Sequence, residues 1–276
     1  MTEASGQDVG SLAGRVAVVT GSSRGIGKQV AVRLAARGAA LVVTARTDSP
    51  RESTPGTIAD TVEAIRAVGP EPLAVTADLS RREDVERLVD EVSARLGRVD
   101  ILVNNAGYTV GRAIYTHAPD LSWEQWEKVM AINATAPLML TQRFWNMMRD
   151  QGGGRVVNVT SDAASLQDLG SAIQAPGMDS IGAAYGASKA ALDRMANSLA
   201  IEAAPLGIAI INVQPGFTLT ETMQRTNEIS GVSETTAIPL HIPAAAIAWL
   251  CTCEDPWPYA GRVVDGPALV AELGLT

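Results

Sequence analysis

A tyrosine and a lysine stand four positions apart in "YGASK", residues 185 to 189, within a run of small uncharged residues. Positions i and i+4 share one face of a helix, so the Tyr185 phenol and the Lys189 amine project into the same space. A free phenol keeps its proton up to a pKa of about 10, too high for useful transfer near neutral pH. A neighbouring ammonium favours the phenolate and brings it toward the working range, which makes the pair a general acid/base couple tuned by its lysine. The same spacing also describes a partly buried tyrosine beside a snorkelling lysine, so the pair takes its meaning from its surroundings.

A second constellation lies near the start. The apolar run "RVAVVTG" (15 to 21) passes into "TGSSRGIG" (20 to 27), which opens the amphipathic stretch "GKQVAVRLAARG" (27 to 38). Gly21 permits a tight turn, and Gly25 and Gly27 let a pyrophosphate approach the backbone and the helix pack on the sheet. Ser23, Arg24 and Ile26 complete a loop whose helix N-terminus offers free N–H groups and positive dipole to an anion. The glycine spacing differs from G-x-G-x-x-G. The next apolar run ends in Arg46, where an acid would select an unphosphorylated ribose; an arginine suits a 2′-phosphate, and Arg24 can add a second guanidinium. Asp48 competes as a ribose ligand. NADP(H) is therefore the expected cofactor, with NAD(H) the alternative. Asp78 and the Leu79 backbone in "TADLS" (76 to 80) are placed to meet an adenine. Asn104, Asn105, Ala106 and Gly107 in "NNAG" would lie beside a ribose. Either stretch also reads as a strand end closed by Asx hydrogen bonds.

These residues need a scaffold that repeats. Seven short runs rich in valine and isoleucine recur, at 15–21, 40–46, 72–79, 100–107, 155–161, 208–216 and 261–266, and strands buried on both faces read this way. Segments with apolar residues at three and four spacing lie between them, so the alternation implies a parallel sheet of about seven strands covered by helices on both faces. The longest helical segments are expected at about 121–150 and 183–204. Ligands bind beyond the carboxyl ends of the strands in a doubly wound sheet, so the irregular stretches at about 162–184 and 217–242 border the expected pocket. With 276 residues the chain suits one domain, from 12 to 276, after a short flexible lead-in at 1–11.

Composition removes other classes. The net charge is −8 and no basic cluster provides a footprint for nucleic acid or anionic lipid. No apolar run approaches the roughly 20 residues of a membrane span, and residues 1–14 lack signal-peptide character, so a soluble cytoplasmic protein is expected. Cys251 and Cys253, the two cysteines, read as buried small hydrophobes. His117 and His241 lie far apart in the sequence with no ligand cluster, and no catalytic metal is expected.

Taken together, "TGSSRGIG", "NNAG", "YGASK" and "QPG" (214 to 216) resemble the short-chain dehydrogenase/reductase family over residues 12 to about 266. The resemblance implies a single-domain Rossmann fold and NADP(H)-dependent interconversion of a secondary alcohol and a ketone. It makes Tyr185 the general acid/base and Lys189 both its tuner and a ligand of the nicotinamide ribose. Ser161 would hold the carbonyl oxygen, and Asn133 of "MAINATAP" would fix a relay water. Pro215 and Gly216 resemble the turn beside the nicotinamide, with Thr218 and Thr220 following as amide or phosphate partners. Homodimers or homotetramers, through the long helices, are implied as well.

Two departures stand out. Ser161 and Tyr185 are 24 positions apart, about twice the family's usual separation, so 162–184 contains an insertion in which Ser165, Ser171 and Ser180 compete for the serine role. Ser161 is preferred because it ends a strand and is held rigidly. The C-terminal "GRVVDGPALVAELGLT" lacks the second glycine usual after this strand, so the chain end is expected to pack unusually. Ile173, Met178, Phe217, Leu219 and Met223 are candidates to line an apolar pocket. A medium-sized apolar ketone or alcohol is the expected substrate, and features around Arg46 faintly resemble the hydroxysteroid-dehydrogenase-like branch. The alternative from another class is a non-catalytic dinucleotide-binding regulator or scaffold.

Overall fold

β-Branched residues stiffen the first strand, β1 (Val16–Thr20), and every one of its five residues is buried. The computed structural model describes residues 11–46, 56–108, 116–165, 182–221 and 237–276. Nearly all of the expected lead-in, together with Asp48, Ser171, Ser180, Ile173, Met178 and Met223, lies outside them.

β1 is followed by α1 (Gly25–Ala35), β2 (Ala40–Ala45), α2 (Ile58–Arg66), β3 (Leu73–Thr76), α3 (Arg82–Leu96) and β4 (Ile101–Asn104). Then come α4 (Trp123–Met130), a π-helical turn (Ala131–Thr135), α5 (Ala136–Asp150), β5 (Gly154–Val159) and α6 (Ala183–Ala203). β6 (Ile208–Gln214), α7 (His241–Thr252), β7 (Val263–Asp265) and α8 (Gly266–Leu273) complete the order. The seven strands form one parallel sheet in the order β3-β2-β1-β4-β5-β6-β7. The order reverses between β1 and β4, which opens a crevice at their carboxyl ends.

Alternation along the strands feeds two apolar layers. Ala17, Val19, Leu41 and Val43 meet Val30 and Leu34 of α1 and Ile247 and Leu250 of α7 on one face. Val16, Val18, Val42 and Leu102 meet Leu88 of α3 and Leu140 and Phe144 of α5 on the other. Each such side chain contributes about 1.5–3 kcal/mol on burial, so the sheet's position between the layers is strongly fixed.

Helix ends carry ordinary signals. Thr57 caps α2 in a reciprocal box with Asp60, and Gly97, at φ 65°, ends α3 in the left-handed conformation. The segment expected as one helix at 121–150 is two helices joined by the π turn, which sequence spacing alone does not reveal. The chain end is compact: Asp265 Oδ1 accepts from Ala268 N–H at 2.9 Å, so β7 passes directly into α8, whose Leu269 and Val270 are buried. Among the described residues, no helix is long and apolar enough to cross a membrane.

Candidate active site

α6 carries the phenol and the amine. Lys189 is only 3% exposed, and its Nζ donates to Val159 O at 2.8 Å, at the carboxyl end of β5. The ammonium lies 5.9 Å from the centroid of the half-buried Tyr185 ring. Burial lowers the Lys189 pKa from 10.5 to about 8, against the opposing pull of Asp193. An amine with that value is still largely protonated at neutral pH, so a cation stands beside the phenol under working conditions.

Ser161 follows β5 in extended backbone, at φ −165°, and its Oγ accepts from Ala163 N–H at 3.2 Å. Gly186 is the close-approach residue here: a Cβ on it would lie 3.2 Å from Ala163 O, so its smallness lets α6 lie against the turn that holds Ser161. Ser165 is exposed, and its Oγ accepts from Gln214 Nε2 at 3.2 Å. Of the two serines the structure describes in this stretch, Ser161 is the one at a strand end.

Asn133 is fully buried in the π turn, where its side chain is already committed. Oδ1 accepts from Tyr108 N–H at 2.7 Å, and Nδ2 donates to Ser188 Oγ at 3.0 Å. Ser188 in turn donates to Tyr185 O at 2.7 Å. The side chain thus ties the segment after β4 to the backbone of the tyrosine. Ser188 was not singled out from the sequence, although its place three positions after Tyr185 inside the quoted motif is the signal that could have found it.

The glycine loop departs from the expected division of labour. Gly21 has φ +66°, and a Cβ there would lie 2.8 Å from Ala106 Cα, so the turn requires glycine. The room beside Gly27, expected to admit a pyrophosphate, is taken by Asn105, whose Nδ2 donates to Thr20 O at 2.8 Å and to Gly21 O at 3.3 Å. Asn105 therefore shapes the loop. Asn104 does not turn toward a ribose either: its Nδ2 donates to Asn158 Oδ1 at 2.8 Å within the sheet. Thr20 Oγ1 accepts from Asn105 and Ala106 N–H, both at 3.0 Å, which fixes "NNAG" against the loop.

The loop still fits a dinucleotide. α1 begins at Gly25 with no side-chain cap and no acid in its first turn, which leaves an amide-rich end for an anion. Gly25, at φ +56°, faces Thr220 Cγ2, and Glu221 Oε2 is a buried carboxylate oxygen with no hydrogen-bond partner among the described residues. Arg24 Nη2 donates to Gly56 O at 3.2 Å, and Arg46 is exposed just beyond β2. Asp78 Oδ1 accepts from Ser80 N–H and Oγ–H at 3.0 and 2.7 Å, the Asx arrangement its sequence also allowed. Burial raises the Asp78 carboxyl, but the Ser80 bonds and the fields of Arg46 and Lys128 together hold it below the usual value. Leu79 is buried. Gly216 has φ +69°, where a side chain is strained, and a Cβ there would also displace Ile238 Cδ1, 2.3 Å away. Thr218 Oγ1 donates to Pro215 O and Gly216 O at 3.4 and 3.3 Å, which closes the turn after β6. Among the described residues, no group of three or more His, Cys, Asp or Glu is placed to hold a metal ion.

A family model described as short chain dehydrogenase matches residues 15–230. The chain belongs to the short-chain dehydrogenase/reductase family. The chain is 34% identical over 218 residues to 3-oxoacyl-[acyl-carrier-protein] reductase of Synechocystis sp., a match covering 79% of each chain. It is 30% identical over 273 residues to glucose 1-dehydrogenase 2 of Bacillus subtilis, covering 96% of each. Among solved structures it is similar to a short-chain type dehydrogenase/reductase from Mycobacterium marinum, with 25% identity and a TM-score of 0.78 over 94% of this chain and 97% of that one. A metagenomic short-chain oxidoreductase in complex with NADP gives 28% identity and a TM-score of 0.70, over 92% and 96%. The chain is thus an oxidoreductase on a Rossmann sheet, with a tyrosine and a buried lysine beside the carboxyl end of β5.

Proposed function

We propose that the protein interconverts a secondary alcohol and a ketone with NADP(H), using Tyr185 as general acid/base. The observation that carries this is the buried Lys189, held on Val159 O with its ammonium beside the Tyr185 ring. The chain has gone to the expense of burying a cation there, and tuning a phenol is a use that explains it.

The dinucleotide, when bound, supplies or accepts a hydride at its nicotinamide. The open amide end of α1, with Gly21, Ser23, Gly25 and Ile26, holds the pyrophosphate. Arg24 and Arg46 hold a 2′-phosphate, Asp78 and Leu79 border the adenine, and Ala106 and Gly107 border the ribose. Pro215, Gly216, Thr218 and Thr220 support the nicotinamide end. The NADP complex of the metagenomic relative supports the phosphorylated cofactor.

In ketone reduction, the Ser161 hydroxyl donates to the substrate oxygen and Tyr185 gives that oxygen its proton. Lys189 stabilises the phenolate left behind, and Asn133 and Ser188 keep the tyrosine backbone in place. Phe217 and Leu219, both half-buried after β6, provide an apolar approach for a medium-sized substrate. A single dehydrogenase domain over 12–276, substrate contacts from the segments 162–184 and 217–242, and a homodimer or homotetramer complete the reading.

The test is NADPH consumption with a panel of apolar cyclic and open-chain ketones. Turnover with one or more of them is the expected result. Tight NADPH binding with no turnover across the panel would replace the enzyme by a dinucleotide-binding regulator.

A further inference from the structure

Beneath the acid/base pair, one helical turn further along α6, stands an acid that the sequence reading left unassigned. Asp193 follows Lys189 at i+4 on the same helix face. Its backbone is anchored from the sheet: Asn104, Asn158 and Asn212 are in register across β4, β5 and β6 and are each at most 3% exposed. Asn104 Nδ2 donates to Asn158 Oδ1 at 2.8 Å, Asn158 Nδ2 to Asn212 Oδ1 at 3.0 Å, and Asn212 Nδ2 to Asp193 O at 3.3 Å. The ladder therefore fixes α6 against the sheet at the residue that carries the acid.

Asp193 itself is half-buried, with one carboxyl oxygen turned inward. Asp193 Oδ1 and Thr160 Oγ1 are both buried, and neither has a partner at full hydrogen-bond geometry among the described residues. Thr160 directly follows Val159, whose carbonyl receives the Lys189 ammonium. An ionised oxygen so placed gains little from solvent, and its largest available compensation is a nearby cation. Burial raises the Asp193 carboxyl, while the Thr160 hydroxyl and the Lys189 charge pull it down. The influence is reciprocal, since Asp193 raises the Lys189 amine against the effect of burial.

We propose that Asp193 is a positioning residue whose negative charge keeps Lys189 an ammonium, so that the lysine can tune Tyr185. The assignment rests on the acid/base reading of Tyr185 and Lys189. The other charged or titratable groups on elements packed against α6 are Asp162 in the 162–164 turn and Glu124, Glu127 and Lys128 on α4. β6, the π turn and residues 204–206 carry none. On β5 the charge is Arg155, at the opposite end of the strand, where its Nη1 donates to Leu250 O and Cys253 O. Asp162 is pushed up by its own burial and by Asp265, and Lys128 stands over the Tyr108 ring at 5.3 Å. On α6 itself, Tyr185 is the group that the ammonium serves.

The chain has three lysines, Lys28, Lys128 and Lys189, so lysine labelled with 13C at Cε gives a spectrum that Lys189→Met assigns at once. The cofactor-free protein is titrated by NMR, which makes the readout independent of turnover. The Lys189 resonance is expected to titrate near pH 8 in the parent protein. In Asp193→Asn its midpoint should fall by about one pH unit, a tenfold change in the ammonium-to-amine ratio. Asp193→Glu should restore it, and Asp193→Ser serves as the uncharged variant if Asn disturbs folding. The basic limb of the NADPH-dependent ketone-reduction profile should move down with it, with the NADPH KM unchanged. An unmoved Lys189 midpoint in a folded uncharged variant overturns the proposal, as does a loss of rate that is uniform with pH. If the midpoint moves but the parent protein reduces no ketone, the electrostatic link stands and the functional reading falls.

Discussion

Asn105 occupies the space that Gly27 leaves: a Cβ on Gly27 would lie 2.3 Å from Asn105 Nδ2 and 2.6 Å from Gly21 O. The glycine loop is thus braced from the end of β4. Gly27→Ala must push the amide off Thr20 O and distort the turn, at a cost of about 1–3 kcal/mol from overpacking. The expected result is a lower midpoint in urea unfolding and an NADPH Kd at least about tenfold weaker.

Tyr185→Phe removes the phenolic hydroxyl proposed as the acid/base group and leaves the ring in place. Tyr185→Phe should lose about 100- to 10,000-fold in kcat, the range ascribed to positioned proton transfer. Its NADPH Kd, read by fluorescence titration, should stay within about threefold of the parent value. Undiminished turnover would sink the mechanism.

Arg46 is exposed at the end of β2, so its value for a 2′-phosphate is moderated by solvent. Arg46→Ala should raise the NADPH KM by about tenfold, corresponding to about 1.4 kcal/mol, and leave the NADH KM nearly unchanged. Equal loss for both cofactors would assign the arginine to the fold.

Lys189 also makes a prediction about stability. Its folded pKa, about 8, lies below the reference value of 10.5, so between those limits the unfolded chain binds more protons than the folded one. Stability attributable to this residue therefore rises with pH across that window, and the penalty of burying the charge applies in full only below it. Compared with Lys189→Met, the parent protein should gain about 3 kcal/mol of unfolding free energy from pH 7 to pH 11. Chemical denaturation at several pH values measures the difference, and parallel curves for the two proteins would contradict the burial.

Much of the fold was legible in one dimension. Hydrophobic alternation and β-branched runs located seven strands, because a strand buried on both faces has to be apolar throughout. Their parallel arrangement followed from the helices between them. Boundaries and the π turn at Ala131–Thr135 were not legible, since a π turn is defined by its backbone hydrogen bonds, which side-chain spacing does not report. The pairing of Tyr185 with Lys189 needed only the helical repeat.

What tertiary contact decided was the use made of the polar residues. The order of amino acids placed asparagines at 104, 105 and 133, but an amide can donate and accept in several directions. Only the folded chain shows Asn105 filling the room beside Gly27, Asn104 joined to Asn158 inside the sheet, and Asn133 bonded to Ser188. Likewise, the spacing of Lys189 and Asp193 put both on one helix face, whereas the low-dielectric setting that makes their charges matter comes from β5 and β6 packing against α6. Local periodicity sets which residues share a face; burial, which depends on distant segments, sets what their ionisable groups can do.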